Sequence, residues 1–226
     1  MKKKKTKKRI KLKSVLIFFL IIGTIALLVF LYRSLPVKNI YVIGNNVLRE
    51  QEIIDEAELS DYPKIYQVSK DTIRNNLLKN ELINDVDVSI SLFGKVTISI
   101  DENVVLYQNN SGEYTLSNYK DIVLNDKFFD VPTLINSIDD DVREKFIDKF
   151  LLVDKSIMLK ISEIEYAKTE IDAERFLFYM NDGNYVYVTL SKMNLINSYN
   201  EIYPTLGDKK GILYLDSGNH FVIKKD

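Results

Sequence analysis

Apolar residues follow two different patterns along the chain. Residues 15–31 form one uncharged and almost wholly apolar run. Further on, residues 86–92 and 96–100 alternate apolar and polar side chains on either side of Phe93-Gly94. Alternation with a period of two around a short glycine turn predicts a β-hairpin with one dry and one solvated face. We therefore expect a long apolar helix followed by sheet-containing structure.

The apolar run predicts a membrane-spanning helix over residues 15–32, followed by a short linker, residues 33–36. These seventeen residues, at ~1.5 Å each, reach ~26 Å, and Tyr32 can extend the span at headgroup level. A cleaved signal peptide is the alternative interpretation. Signal peptides end in small residues, whereas residues 28–33 of this chain are all bulky. We therefore expect an uncleaved anchor.

Charge is strongly segregated between the two ends of the chain, although the net charge is only −1. Residues 1–33 hold ten Lys or Arg and no acid, whereas the remainder holds 21 basic and 32 acidic residues. A basic tail directly before a span places the N-terminus in the cytoplasm. We therefore predict a single-pass protein with a cytoplasmic tail, residues 1–14, an extracellular bulk and no nucleic-acid partner.

Residues 37–103 are predicted to form a first external domain. Residues 37–43 are rich in β-branched and aromatic side chains, which favour a strand. Residues 48–59 predict a short helix, and Ser69 is a suitable N-cap for a second. Both helices are expected to cover the dry face of the hairpin. The resulting order is β-α-α-β-β.

Residues 104–226 predict a second domain that is rich in strands and has helices packed against them. Apolar positions recur at helical spacing over residues 138–153. A second helical stripe is expected to end at Pro204 and Gly207. Strands are predicted at residues 114–116, 122–124, 161–166, 176–180, 185–190, 212–215 and 220–223. The fold class is therefore α+β.

This order of elements resembles the bacterial cell-division family called DivIB or FtsQ. Residues 37–45 (VKNIYVIGN) are similar to the first strand of the family's POTRA domain, and Glu102 closes the hairpin as in the family. Residues 114–116, 131–134 and 212–221 are similar to parts of its second, β domain. The chain departs from the family pattern at Phe93-Gly94, where Leu-Pro is frequent, and at Leu215, where a basic residue is frequent.

The resemblance implies a non-catalytic, membrane-anchored scaffold of the divisome that acts at the division septum. It implies that the partners are other bitopic division proteins, DivIC/FtsB-like and FtsL-like, and through them the septal peptidoglycan synthase complex. No cofactor is implied. A second docking edge is expected on the strand that begins at Val86.

The last strand predicts where such a partner would bind. An unpaired strand at the edge of a sheet offers a row of N–H and C=O groups to an extended segment, a mode called β-augmentation. The closing turn also matches the family's turn beside this strand. The candidate partner-binding residues are Tyr214, Leu215, Asp216, Ser217, Gly218, Phe221 and Ile223.

Catalytic and metal-binding groups are sparse. The chain has no Cys and one His, His220, which excludes thiol nucleophiles and sites with several histidines. Three other groups are expected to have structural roles. The acids at residues 139–141 are expected to start a helix, and Asp101 and Glu102 to point to opposite faces of a strand. Asp216, Ser217 and His220 are expected to lie in a turn and the strand after it. No catalytic or metal-binding residue is therefore predicted.

Two competing functions remain open at this point. The Tyr-rich hairpin of Tyr179, Tyr185 and Tyr187 is expected to pack across strands. The same tyrosines could instead form the platform of a membrane-anchored wall-sugar binder or enzyme. A transport-type POTRA protein is a further class, but it would require a pore partner.

Overall fold

The first helix, α1 (Leu12–Arg33), is long and apolar. The structure, a computed structural model, describes residues 12–91, 93–124, 127–207 and 209–224. The basic positions before Leu12, and Leu92 at the predicted end of a strand, lie outside these ranges. Residues Val15–Arg33 have a mean hydropathy of 3.0, and none of this window is buried. A helix of this length is compatible with a membrane anchor.

The chain divides into two units, Met1–Glu102 and Asn103–Asp226. After α1, the first unit contains the predicted β-α-α-β-β order. Its elements are β1 (Asn39–Ile43), α2 (Glu50–Glu56), a 3₁₀ turn (Ile65–Gln67), α3 (Lys70–Leu77), β2 (Ile83–Ile90) and β3 (Lys95–Glu102). The central strand β3 pairs in parallel with β1 and antiparallel with β2.

The alternating pattern of the hairpin produces the predicted dry face. Val86, Ile98 and Ile100 are buried on the sheet, and the helices contribute Ile53 and Leu77. Ser69 caps α3 as expected, because its side chain accepts a hydrogen bond from the Thr72 N–H at 3.4 Å. The alternation therefore identifies the buried side of this sheet correctly.

Helix α2 is shorter than the expected range of residues 48–59. Leu48 is excluded from it because its N–H donates to the Glu102 carboxylate at 2.9 Å. At the other end, Ala57 is the C-cap and Glu58 has a φ of 57°. A positive φ is incompatible with a continuing right-handed helix, so the chain turns there.

The second unit is built on a nine-stranded sheet with the order β12-β11-β10-β9-β8-β7-β4-β5-β6. The strands are β4 (Val105–Gln108), β5 (Tyr114–Leu116), β6 (Asp121–Ile122), β7 (Thr133–Leu134), β8 (Ile161–Tyr166), β9 (Arg175–Met180), β10 (Tyr185–Thr189), β11 (Gly211–Tyr214) and β12 (His220–Ile223). The helices are α4 (Asp140–Phe150), α5 (Lys155–Met158), a 3₁₀ segment (Leu190–Ser198) and α6 (Tyr199–Leu206). The α+β class is therefore confirmed.

Two helical expectations in this unit need correction. The helix expected over residues 138–153 is α4, which is shorter at both ends because Asp139 is its N-cap and Leu151 its C-cap, and the short helix α5 follows after Asp154. Pro204 does not end the last helix, since α6 continues to Leu206 and stops at Gly207. The core contacts of Tyr199, Ile202 and Tyr203 favour the helix although proline costs it one backbone hydrogen bond.

The core of the second unit lies on one face of the sheet. Phe146, Phe150, Phe176 and Phe178 are fully buried there, and the rings of Phe146 and Phe176 stack with centroids 4.4 Å apart. The other face of strands β9 to β12 carries four tyrosines, Tyr179, Tyr185, Tyr187 and Tyr214, which lie next to one another across the strands. The two faces of this part of the sheet therefore differ in chemistry as well as in burial.

Candidate functional site

The candidate site is the β11–β12 hairpin at one end of the nine-stranded sheet. Within the described parts of the chain, β12 pairs with β11 alone, in antiparallel register. Strand β11 pairs in parallel with β10, and the Leu215 N–H extends that pairing by donating to the Tyr187 carbonyl at 2.8 Å. The outer side of β12 is thus a sheet edge.

The register shows which backbone groups face outward from that edge. The Lys224 N–H donates to the Lys210 carbonyl at 2.9 Å, so these two residues form a hydrogen-bonded pair. Hydrogen-bonded and non-hydrogen-bonded pairs alternate along an antiparallel ladder. The N–H and C=O groups of Phe221 and Ile223 therefore point away from β11 and are available to an incoming strand.

The predicted binding residues lie together in this hairpin, but they are not equally accessible. Ser217 and Gly218 are exposed in the turn, and Ile223 is 50% exposed on the strand. Phe221 is partly buried against the core, and Leu215 is only 2% exposed. The Leu215 side chain therefore supports the hairpin from the core side and does not reach a partner.

Gly211 makes the close approach of β12 possible. A Cβ atom at this position would lie 2.1 Å from the Val222 carbonyl oxygen and 2.7 Å from Cζ of Phe221. Both distances are far below van der Waals contact. This role of Gly211 is not evident from the sequence, because a glycine at the start of an apolar strand does not indicate which strand will lie against it.

Asp216 fixes the closing turn to the body of the sheet. Its Oδ2 accepts a hydrogen bond from Arg175 Nε at 2.7 Å, and its backbone carbonyl accepts one from Lys192 Nζ at 2.7 Å. Burial raises the pKa of Asp216, but the hydrogen bonds from Arg175 and Ser217 outweigh this effect and leave the pKa below its usual value. The carboxylate is therefore ionised and paired at neutral pH.

An aromatic ladder crosses the strands on the face opposite the core. The Arg175 guanidinium lies 3.6 Å from the centre of the Tyr187 ring. Tyr187 stacks on Tyr214 at 5.4 Å, and Tyr214 stacks on His220 at 4.9 Å with 8° between the rings. Each member comes from a different strand, β9 to β12. The ladder therefore connects the edge strand to the interior of the sheet.

A shallow groove of about 280 Å³ lies beside the ladder. It is lined by Leu177, Tyr185, Tyr187, Ile212, Val222, Ile223 and Lys224. The expected cross-strand packing of the tyrosines is present, since Tyr179 and Tyr185 meet edge to face at 5.3 Å. A hydrogen bond to Glu165 and burial together raise the pKa of Tyr179 to about 12.

The other groups considered for chemistry are held in structural contacts. Asp139 accepts from Lys168 Nζ at 2.6 Å at the start of α4. Glu102 accepts three backbone N–H groups, whereas Asp101 accepts from Asn84 at 2.7 Å. The Ser217 hydroxyl donates to Asp216 at 3.0 Å. These contacts are consistent with the structural roles assigned from the sequence.

Comparison with known proteins gives a consistent result. Residues 35–103 match the family described as "POTRA domain, FtsQ-type". The cell division protein DivIB of Listeria monocytogenes is 29% identical over 98% of this chain and 85% of its own length. The DivIB of Bacillus subtilis is 26% identical over 91% of this chain and 82% of its own length. The chain is therefore similar to DivIB along most of both sequences.

A solved structure also aligns with part of the chain. It is the major extracytoplasmic domain of DivIB from Geobacillus stearothermophilus, with 19% identity and a TM-score of 0.39. The alignment covers 48% of this chain and 96% of the solved one. The sequence relatives, which align over most of their own length, support a role in cell division.

Proposed function

From the confirmed resemblance to the DivIB/FtsQ family of bacterial cell-division proteins, we propose that this chain is a non-catalytic scaffold of the divisome. It is anchored by α1, with its N-terminus in the cytoplasm and both folded units outside, at the division septum. The basic residues before the span support this orientation. The relatives named as cell division proteins support the process.

The proposed partners are bitopic division proteins, DivIC/FtsB-like and FtsL-like, which link the scaffold to septal peptidoglycan synthesis. Binding occurs by β-augmentation, in which an extended partner segment adds a strand beside β12. One observation carries this proposal: the N–H and C=O groups of Phe221 and Ile223 face outward at a sheet edge. The turn next to that edge is formed or held by Tyr214, Asp216, Ser217 and Gly218.

A proline at Ile223 tests the outward backbone directly. Ile223→Pro removes one outward N–H group, while the groups of Val222 and Lys224 that pair with β11 stay in place. Capture of a co-expressed DivIC-like protein by the full-length tagged chain, extracted in detergent, should be lost. Phe221→Glu is a less specific test, because the Phe221 side chain also contacts the core.

Ile223→Thr is the matched control, since it shortens the same side chain and keeps the N–H group. Wild-type capture by Ile223→Thr together with lost capture by Ile223→Pro is the expected pair of results. If Ile223→Pro captures as much partner as the wild type, strand addition at β12 is wrong. Unchanged hydrogen exchange in the rest of the sheet would show that both variants are folded.

A second edge on the first unit is also proposed for docking. The Ser91 N–H donates to the Lys95 carbonyl at 2.8 Å, so by the same alternation the backbone N–H and C=O groups of Val86, Val88 and Ile90 point away from β3. The Arg74 guanidinium donates to the Val86 carbonyl. The open part of this edge is therefore shorter, and we rank it below β12.

The tyrosine-lined groove favours one competing function, a wall-sugar binder, because sugar rings stack on aromatic side chains. Its walls include Tyr185 and Tyr187. Saturable binding of purified muropeptides to the full-length chain, lost in Tyr187→Ala, would support that function. Binding that is absent or non-saturable would leave the scaffold proposal alone.

A further inference from the structure

The first unit is attached very closely to the end of the apolar helix. Lys38 lies five residues after Arg33, the last residue of α1, so it is at most about 18 Å along the chain from the helix end. Three backbone hydrogen bonds fix this connection to the folded unit. The Ile65 N–H donates to the Leu35 carbonyl at 2.9 Å, and the Val37 N–H donates to the Pro63 carbonyl at 2.9 Å. The Lys38 N–H donates to the Gly94 carbonyl at 2.8 Å.

The residues beside these hydrogen bonds expose apolar and aromatic side chains. Phe93 is 82% exposed next to Gly94, and Tyr62 and Tyr66 are 53% and 48% exposed on either side of the 63–65 segment. Leu35 in the connection is 43% exposed. Gly94 allows the hairpin tip to approach, because its φ is +76° and a Cβ atom there would lie 3.0 Å from the Pro36 carbonyl oxygen.

Three lysines surround these side chains. Lys38, Lys64 and Lys95 are all exposed. Lys64 Nζ lies 5.9 Å from the centre of the Tyr66 ring, and Lys95 Nζ lies 4.5 Å from that of Tyr41. The loop of residues 57–64 holds two acids, Glu58 and Asp61, so the three lysines outnumber the acids beside them. The local charge is therefore positive, although the part of the chain after α1 is acidic as a whole.

We propose that this group, the membrane-proximal patch of Leu35, Tyr62, Tyr66, Phe93, Lys38, Lys64 and Lys95, docks on the bilayer surface. Aromatic side chains are favoured at headgroup depth, and lysines attract anionic headgroups. The occupant is thus an anionic phospholipid surface. The patch lies where a span formed by α1 would enter the bilayer, so the proposal rests on the anchoring proposed above but not on the β12 edge.

The absence of tryptophan from the chain permits a sharp test. Phe93→Trp introduces one tryptophan at the patch, whose emission can be excited selectively over that of the tyrosines. The control is Val47→Trp, in the loop at the opposite end of β1, where the Val47 N–H donates to Glu102. The full-length variants are reconstituted into phosphatidylcholine vesicles that contain brominated acyl chains, with or without equimolar phosphatidylglycerol.

The Phe93→Trp fluorophore should show blue-shifted emission and lose most of its intensity to the brominated lipid, more so with phosphatidylglycerol. The Val47→Trp fluorophore should be unaffected. Replacing the three lysines by Gln should remove the effect of phosphatidylglycerol. Equal quenching at positions 93 and 47 would overturn the docking, and equal quenching with and without phosphatidylglycerol would overturn the role of the lysines.

Flotation of the same vesicles distinguishes failure of the proposed anchor from failure of the proposed patch. Chains that float with the lipid but show no quenching at position 93 are anchored without docking, which overturns the patch alone. Chains that do not float overturn the anchor, and the patch with it. Ile223→Pro should leave quenching unchanged, since it acts on the other unit.

Discussion

At the scale of single residues, Asp216 is the best-connected member of the candidate site. It joins the closing turn to β9 through Arg175 and to the 3₁₀ segment through Lys192. Both charged side chains of the pair are largely buried, with exposed fractions of 18% for Arg175 and 9% for Asp216. Removing one partner from such a pair leaves the other without compensation.

Asp216→Asn should lower the free energy of unfolding at pH 7 by about 1.5–3 kcal/mol, the range for hydrogen bonds to charged groups. The pKa of Asp216 is lowered from 3.8 in the folded state. Its contribution is therefore fully present above pH 3.8 and is lost as the pH falls through the lower, folded-state value. The difference between wild type and variant should thus shrink in strong acid, as measured by urea unfolding of the full chain in detergent micelles.

The matched control for this change is Glu174→Gln. Glu174 also accepts from a cation, Lys145 at 2.8 Å, but the two side chains are 37% and 58% exposed. Exposed pairs contribute at most about 1 kcal/mol, so Glu174→Gln should have a small effect at either pH. If Asp216→Asn lowered the free energy of unfolding by the same amount at neutral and at strongly acid pH, the stabilising role of the ionised Asp216 carboxylate would be wrong.

At the scale of elements, a single carboxylate joins the end of β3 to the loop that follows β1. Glu102 accepts hydrogen bonds from the backbone N–H groups of Asn46, Val47 and Leu48 at 3.0, 2.8 and 2.9 Å. In the same loop, Gly44 has a φ of +89°, and a Cβ atom there would lie 2.2 Å from the Ile100 carbonyl oxygen. The glycine and the glutamate together hold the loop against β3.

Glu102→Gln should loosen this loop, because an amide has one acceptor oxygen and no charge to serve three donors. We expect faster hydrogen exchange at residues 46–48 and a loss of about 1–3 kcal/mol in the free energy of unfolding. Asp101→Asn on the same strand is the control, since Asp101 contacts Asn84 and not the loop. Exchange at residues 46–48 that stays at the wild-type rate would rule out this role.

The elements differ in how far their sequence predicts them. Strand β8 lies at residues 161–166 as expected, because the apolar content of a short segment is a local property. The break between α4 and α5 and the parallel pairing of β10 with β11 depend on contacts between distant residues. The roles of Gly211 and Arg175 at the site also depend on contacts with residues that are distant in the sequence. The location of the edge strand was therefore predictable, but the residues that hold it in place were not.

At the scale of the whole molecule, the separation of charge follows the apolar helix. The ten basic and no acidic residues of positions 1–33 contrast with 21 basic and 32 acidic residues after them. Moving a cluster of lysines across a bilayer is unfavourable, whereas long segments and domains are translocated largely regardless of their charge. The proposed orientation follows from this difference.

Protease added to wall-stripped, intact cells should therefore digest the part of the chain after α1 and leave an N-terminal tag protected. The same digestion after lysis is the control, and it should remove the tag as well, because trypsin cleaves at the lysines next to it. Loss of the tag from intact cells, with the larger part protected, would reverse the orientation and remove the basis for an extracellular scaffold.

The hydrogen-bonded connection through Leu35, Val37 and Lys38 also affects how partners are found. If α1 spans the bilayer as proposed, a unit with so little slack stays in the thin layer directly above it, and an encounter with another membrane-anchored protein is a search in two dimensions. Confinement of this kind raises the effective concentration of such a partner without any new contact. With the proposed division partners, weak pairing at the strand edge would then be sufficient for occupancy and would allow exchange.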